Sequence, residues 1–212
     1  MPNHVTTRIK APEHVIQALV SDNRIDFETL IPYPGKFDWN GVSGSAENLA
    51  EKVVGAPVSE NPLLASLQLA ARDRADIKAL SNDEFEQFVQ MLRNHRSTGF
   101  FHQMDFAREK WGTKWNAYQS VVDAAAGIAS FDTAWSFPEP VIMALSERFP
   151  DYDIAVEYAD EDIGSNCGKL LFRAGKVVER DIAGSWSESS EDERKRWSDF
   201  AYAVKGWEPD DD

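Results

Sequence analysis

The strongest constraint on this chain is a change of hydrophobic period, from two residues at its ends to 3.6 in its middle. "HVTTRIKA" (His4–Ala11) alternates β-branched and polar residues, as a half-buried strand does. "PEHVIQALV" follows, with Pro12 suited to a first helical turn and Val15, Ile16, Leu19 and Val20 at helical spacing. "RIDFETLIPYPG" reads as an extended segment ended by Pro and Gly. After "NGVSGS" the period lengthens. Asn61 before Pro62 and the capping box of Ser81 with Glu84 predict helix starts, and Phe85, Phe88, Val89 and Leu92 predict one apolar face. Strand alternation returns after Trp115. "WNAYQSVVD" and "IASFDTAWS" flank "AAAG" as a hairpin, and Phe131, Thr133 and Trp135 are expected on one buried face. Ser136 with Glu139 predicts a further capping box, opening a helix with the stripe Val141, Ile142, Leu145 and Phe149. Tyr152, Ile154, Val156 and Tyr158 then share a strand face. "GKLLFRAGKVVERD" reads as a hairpin turning at Ala174-Gly175, and a last helix capped by Ser190 and Glu193 buries Trp197, Phe200, Ala201 and Val204.

With the helical stretch set aside, the order is β-α-β-β-α-β, followed by a hairpin and a helix. That order predicts an α+β fold, a ferredoxin-like antiparallel sheet with helices on one face. The expected division is a sheet domain of residues 1–44 and 111–212 and a helical insertion of residues 45–110.

Five stretches then occur in a distinctive order: "MPNHVTTRIKAP", "IDFETLIPYPG", "WGTKWNAY", "FDTAWSFPEPVIMALSERFPD" and "VEYADEDIGSNCGKLLFRAGK". Together they resemble the YubB-like proteins, ferredoxin-like domains carried by plasmids and bacteriophages. The resemblance covers both ends of the chain and little of the insertion. His4-Val5 stands where members of that family often have Trp-Cys, and the acidic loop lacks their Pro-Gly. The resemblance implies a fold and a mobile-element setting; it carries no catalytic residues.

Composition narrows the partners. The chain of 212 residues carries a formal charge of −14, which repels nucleic-acid backbones and attracts basic surfaces. Six of its acids fall between Asp151 and Ile163, with no Lys or Arg among them, and the chain closes on "EPDDD". No apolar run approaches the ~20 residues that cross a bilayer. "MPNHVTTRIK" has no signal-peptide core, and the single cysteine, Cys167, fits a reducing cytosol, here that of a bacterial host. No cofactor or metal is expected. The four histidines lack zinc-like spacing, "DEDIGSN" departs from a calcium loop, and the acids around Cys167 disfavour a thiolate.

Two clusters remain as candidate sites. Asp160, Glu161 and Asp162 form the densest part of the acidic loop. Trp111, Lys114, Trp115 and Asn116, in "EKWGTKWNAY", either pack around the Gly112 turn against Trp135 or form a recognition surface. The expected function is that of a non-enzymatic accessory protein that binds a basic host protein complex, as an acidic inhibitor of a nucleic-acid-handling defence system. The alternatives are a single-stranded nucleic-acid module built on Trp111 and Trp115, and an enzyme of unknown reaction near Trp111–Asn116 with Asp132, the acid that could pair with Lys114.

Overall fold

A computed structural model describes residues 3–209; Asp210–Asp212 of the acidic tail lie outside the described residues. In chain order the elements are β1 (His4–Lys10), α1 (Glu13–Gln17), β2 (Val20–Ser21), β3 (Arg24–Ile25), α2 (Gly44–Val54), α3 (Pro62–Arg74), α4 (Asn82–Thr98) and α5 (Gln103–Lys110). They continue with β4 (Tyr118–Asp123), β5 (Ile128–Ala134), α6 (Glu139–Arg148), β6 (Ile154–Asp160), β7 (Cys167–Arg173), β8 (Lys176–Ile182) and α7 (Glu191–Lys205). The chain divides into two compact units. The described residues up to Pro32 and those from Ala107 onward form the first, and Tyr33–Phe106 forms the second.

The first unit is a six-stranded sheet in the order β4-β5-β1-β6-β7-β8. Every pairing is antiparallel. Strands β1, β4, β5 and β6 with α1 and α6 make the ferredoxin-like β-α-β-β-α-β arrangement, and β7 and β8 extend the sheet beyond β6. Alternation along β1 buries Val5, Thr7 and Ile9 and turns His4, Thr6 and Arg8 to the opposite face. The buried face carries the core with Val15 and Ile16 of α1, Val141, Ile142 and Leu145 of α6, and Phe131, Val156 and Phe172. The other face is only partly covered. Trp197, Ala201 and Val204 of α7 pack there on Ala159 and Cys167. The expectation of helices on one face therefore holds for α1 and α6, while α7 crosses to the other.

Local chemistry departs from the periodicity in three places. The segment expected to be extended after α1 forms the β2–β3 hairpin, turning through Asp22 and Asn23 at positive φ. It ends in a 3-10 turn over Phe27–Thr29, where Asp26 Oδ1 accepts from Glu28 N at 3.0 Å. Ser136 does not cap α6; the N-cap is Pro138, and Ser136 Oγ donates instead to Gly112 O at 2.5 Å. Trp135 does not continue the buried face of Phe131 and Thr133. It follows β5 with φ 72°, which swings its ring outward to 53% exposure.

Trp111 is the buried tryptophan of the group. Its Nε1 donates to Ile31 O at 2.9 Å, and its ring meets Phe27 edge-on, with 5.7 Å between centroids. Phe27 in turn meets Phe131 edge-on at 5.7 Å. Gly112 follows at φ 74°, and a Cβ there would lie 2.9 Å from Pro140 Cδ, so glycine is required by both dihedral and space.

The second unit is helical. Ala46, Leu49 and Ala50 of α2, Phe88 and Met91 of α4, and Phe101 form its core. Asn61 caps α3, and the Ser81–Glu84 box caps α4. Phe85 is exposed instead of lying on the apolar face of α4, whose buried side is Gln87, Phe88, Met91 and Asn94. Helix α3 buries Arg72 rather than a leucine; the guanidinium bonds Glu51, Ala56 O and Pro57 O.

The two tryptophans should separate in a stability measurement. Trp111→Ala removes a packed, hydrogen-bonded ring and is expected to cost about 3–5 kcal/mol. Trp135→Ala removes an exposed one and should stay within roughly 0.5 kcal/mol of wild type. Urea midpoints of the two variants check this; equal losses would contradict the assignment.

Candidate functional site

The sheet face left open beside α7 ends in a groove at the start of β1. It encloses about 380 Å³ and is lined by His4, Thr6, Gln119, Asp132, Glu161, Lys205 and Trp207. Antiparallel register builds it. Thr6 lies opposite Asp132 on one side and Ala159 on the other, and Asp132 also lies opposite Tyr118. A bulge in β4 between Tyr118 and Val121, with Gln119 at φ 51°, turns Gln119 into the groove. Helix α7 ends at Gly206 in the left-handed conformation, and this C-cap brings Trp207 back over the last helical turn.

Lys205 organises the polar network. Its Nζ donates to His4 O at 3.0 Å and Thr6 Oγ1 at 3.2 Å, and lies 4.6 Å from the centre of the Trp207 ring. Thr6 Oγ1 in turn donates a hydrogen bond to Asp132 Oδ1 at 2.7 Å. Tyr118 OH meets His4 Nδ1 at 2.8 Å and Thr133 O at 3.3 Å. Burial lowers the pKa of Lys205, against the opposing pull of Asp132, Glu161 and Asp160. Burial, then the charges of Asp132 and Glu161, push Tyr118 up to about 12. Such a phenol is a hydrogen-bond donor at neutral pH and a poor base.

The groove therefore already holds a cation. An ammonium between a carbonyl and a hydroxyl, under an indole and near carboxylates, uses the contacts that recognise lysine or arginine side chains. Glu161 and Asp162 are exposed beside it, and their carboxylates make no hydrogen bond or ion pair among the described residues.

The residues singled out from sequence fall into different environments. Asp160 is 4% exposed and faces inward. Its Oδ1 accepts from Asn3 Nδ2 and Asp162 N at 3.1 and 3.0 Å, and its Oδ2 from Asn166 Nδ2 at 2.8 Å. Asp160 is thus a brace for the loop rather than a partner contact, and Trp111 is a core residue. Asn116 is structural too: its Oδ1 accepts from Phe27 N at 2.9 Å and its Nδ2 donates to Asp26 Oδ1 at 2.7 Å. Trp115 is partly exposed, with Lys114 Nζ 4.8 Å from its ring centre. Asp132 pairs through Thr6 with Lys205 rather than with Lys114. Cys167 is buried in β7, and burial, then Asp160, raise its thiol to about 11. Among the described residues no His, Cys, Asp or Glu cluster could hold a metal ion, and no helix is long and apolar enough to cross a membrane.

His4, Tyr118, Lys205 and Trp207 were not visible as a group. Their sequence separation is set by strand pairing. The one local signal was "KGW", a basic last turn, a C-cap glycine and an aromatic after it.

Residues 110–201 match the family model described as the ferredoxin-like domain in Api92-like protein. Among solved structures, the crystal structure of a protein api92 from Yersinia pseudotuberculosis aligns at 10% identity with a TM-score of 0.41, covering 87% of this chain and 99% of that one. No curated protein matches the chain.

The raised phenol of Tyr118 gives the site a pH signature, to which Tyr33 of the helical unit adds a second late phenol. Tyr118 and Tyr33 both hold their protons to about 12, against an ordinary value of 10.0. Between those limits the folded chain binds more protons than the unfolded one. The stability these groups contribute is therefore complete below pH 10 and is lost as pH rises toward 12. Absorbance titration of tyrosine ionisation should show late phenols, with one removed in Tyr118→Phe. An unchanged late phase in that variant would contradict the buried Tyr118.

Proposed function

We propose that this chain is a non-enzymatic binding protein that captures a basic surface of a host protein complex. The observation that supports this best is the groove of Asp132, Glu161 and Trp207 with the chain's own Lys205 seated in it. A partner's arginine or lysine would meet the same chemistry at Glu161 and Asp162, one step further into solvent. The charge of −14 adds long-range attraction. The proposed setting is a phage- or plasmid-borne accessory protein, on the YubB-like resemblance. The proposed target is a nucleic-acid-handling defence complex, whose cationic channel an acid-rich face would occupy in place of phosphates. The single-stranded nucleic-acid reading loses half of its proposed platform with the burial of Trp111.

The test couples kinetics to capture. Association of an arginine- and lysine-rich peptide is followed by stopped flow, beside a pull-down from bacterial lysate with the tagged protein. Glu161→Gln with Asp162→Asn should slow association several-fold at low salt, while thermal stability stays within experimental error because both charges are exposed. The difference should shrink near physiological ionic strength, where the Debye length is ~8 Å. Binding of single-stranded DNA in preference to the peptide would overturn the reading.

A further inference from the structure

Helix α3 of the helical unit is held by polar bonds while its leucines face solvent. Its buried residue is Arg72, whose guanidinium bonds Glu51 and the carbonyls of Ala56 and Pro57. Lys52 Nζ adds bonds to Asp73 O at 3.3 Å and Ala75 O at 3.2 Å, and Gln68 Oε1 accepts from Ser59 N at 2.7 Å. The attachment makes little use of the apolar side chains. Leu63 is 68% exposed and Leu67 58%, with Leu64 and Leu69 at 51% each.

Two of these leucines form a seam. Leu63, Leu67 and Ala70 are spaced by four and then three residues, which keeps them on one helical face and is the spacing through which helices pair. The seam lies in the longest uncharged run of the chain, the eleven residues from Asn61 to Ala71. Contiguous exposed apolar surface marks an interaction site. In a chain of charge −14, a face free of carboxylates is where two copies can touch without like-charge opposition.

The two ends of the face are complementary to each other. Glu60 and Arg74 stand seven residues to either side of Leu67. Both are exposed, and neither forms an ion pair among the described residues; Arg74 Nε reaches back to Ala70 O at 3.0 Å. Two such helices crossing antiparallel at Leu67 set each Arg74 beside Glu60 of the other copy, and the two-fold axis makes that match twice. Parallel pairing would set Glu60 on Glu60 and Arg74 on Arg74.

We infer that α3 is a self-association surface, on which two copies of the chain pair antiparallel through Leu63, Leu67 and Ala70, closed at each end by Arg74 against Glu60. The 13 residues of the helix span about 20 Å. One seam of that length falls below the ~800 Å² per partner of a standard interface, so the dimer is weak and reversible. The acidic groove plays no part in this pairing.

Sedimentation velocity of the full chain over a concentration series reaching roughly 0.5 mM tests this. Monomer should convert to dimer as concentration rises, with no larger species, because a two-fold contact closes on itself. Leu63→Gln with Leu67→Gln should abolish the dimer throughout the series and leave the melting temperature of the dilute monomer unchanged, since both side chains are exposed. Arg74→Glu alone and Glu60→Arg alone should each weaken association several-fold at low salt by placing like charges together. The double variant should restore it, a rescue that general apolar stickiness would not produce. A chain that stays monomeric across the series, a dimer untouched by the paired leucine substitutions, or a double variant no better than either single one overturns the inference. So does a monomer that uses the same leucines to bind phosphatidylcholine vesicles, which would assign the face to a lipid surface.

Discussion

The first unit depends on one strand finding partners from the far part of the chain. β1 lies inside the sheet, paired along Ile128–Ala134 on one edge and Ala155–Asp160 on the other. Every ladder bond it makes closes a loop of more than a hundred residues, and the helical unit lies inside that loop. Closure entropy grows only slowly with loop length, roughly 0.6 kcal/mol per doubling, so an insertion of this size is tolerable. The return is the burial of Val5 and Ile9. The candidate groove is a consequence of this placement. The acidic groove opens at the start of β1, and Asn3, just before it, holds the backbone of Trp135.

Periodicity made the repeating parts legible. Alternation in β1, in β5 and in β6 from Ile154 to Tyr158, the buried Val141, Ile142 and Leu145 of α6, the Ala174-Gly175 hairpin and the Ser81 and Ser190 boxes are local chemistry, and the structure has each of them; Tyr152, expected on the β6 face, instead precedes the strand and is exposed. What alternation could not foresee is a break in its own rule. Phe131, Thr133 and Trp135 count as one face, yet a single left-handed residue after Ala134 puts the third ring outside. The same limit applies to Ser136, whose spacing from Glu139 fits a cap but whose hydroxyl is taken by a carbonyl brought near by the Gly112 turn. In α3 the leucines stay exposed, and the buried Arg72 anchors the helix.

The stretch "EKWGTKWNAY" shows how one short run can serve several purposes. Trp111 fills the core beneath the sheet, and Asn116 ties the Asp26 turn to β4's approach. Gly112 permits the turn between them, and Lys114 is left at the surface beside a cleft. Of the two tryptophans, it is Trp115 that keeps the lysine, with Lys114 Nζ over its ring, while Trp111 is core.

Asp160, Glu161 and Asp162 are chemically equivalent in the sequence and physically distinct in the fold. Asp160 is the last residue of β6, so its side chain turns inward, where Asn3, Asn166 and the Asp162 amide satisfy it. A buried carboxylate without such donors would be costly, and with them its charge is spent on geometry rather than on the outside field. What it holds is considerable. Asn166 reaches from Asp160 to Trp135 O, and Asn3 reaches from Asp160 to Trp135 N through its own carbonyl. Glu161, the next residue, donates its amide to His4 O, the same carbonyl that receives Lys205. One internal carboxylate therefore braces the backbone of the exposed Trp135 and sets the position of the outward acid of the groove.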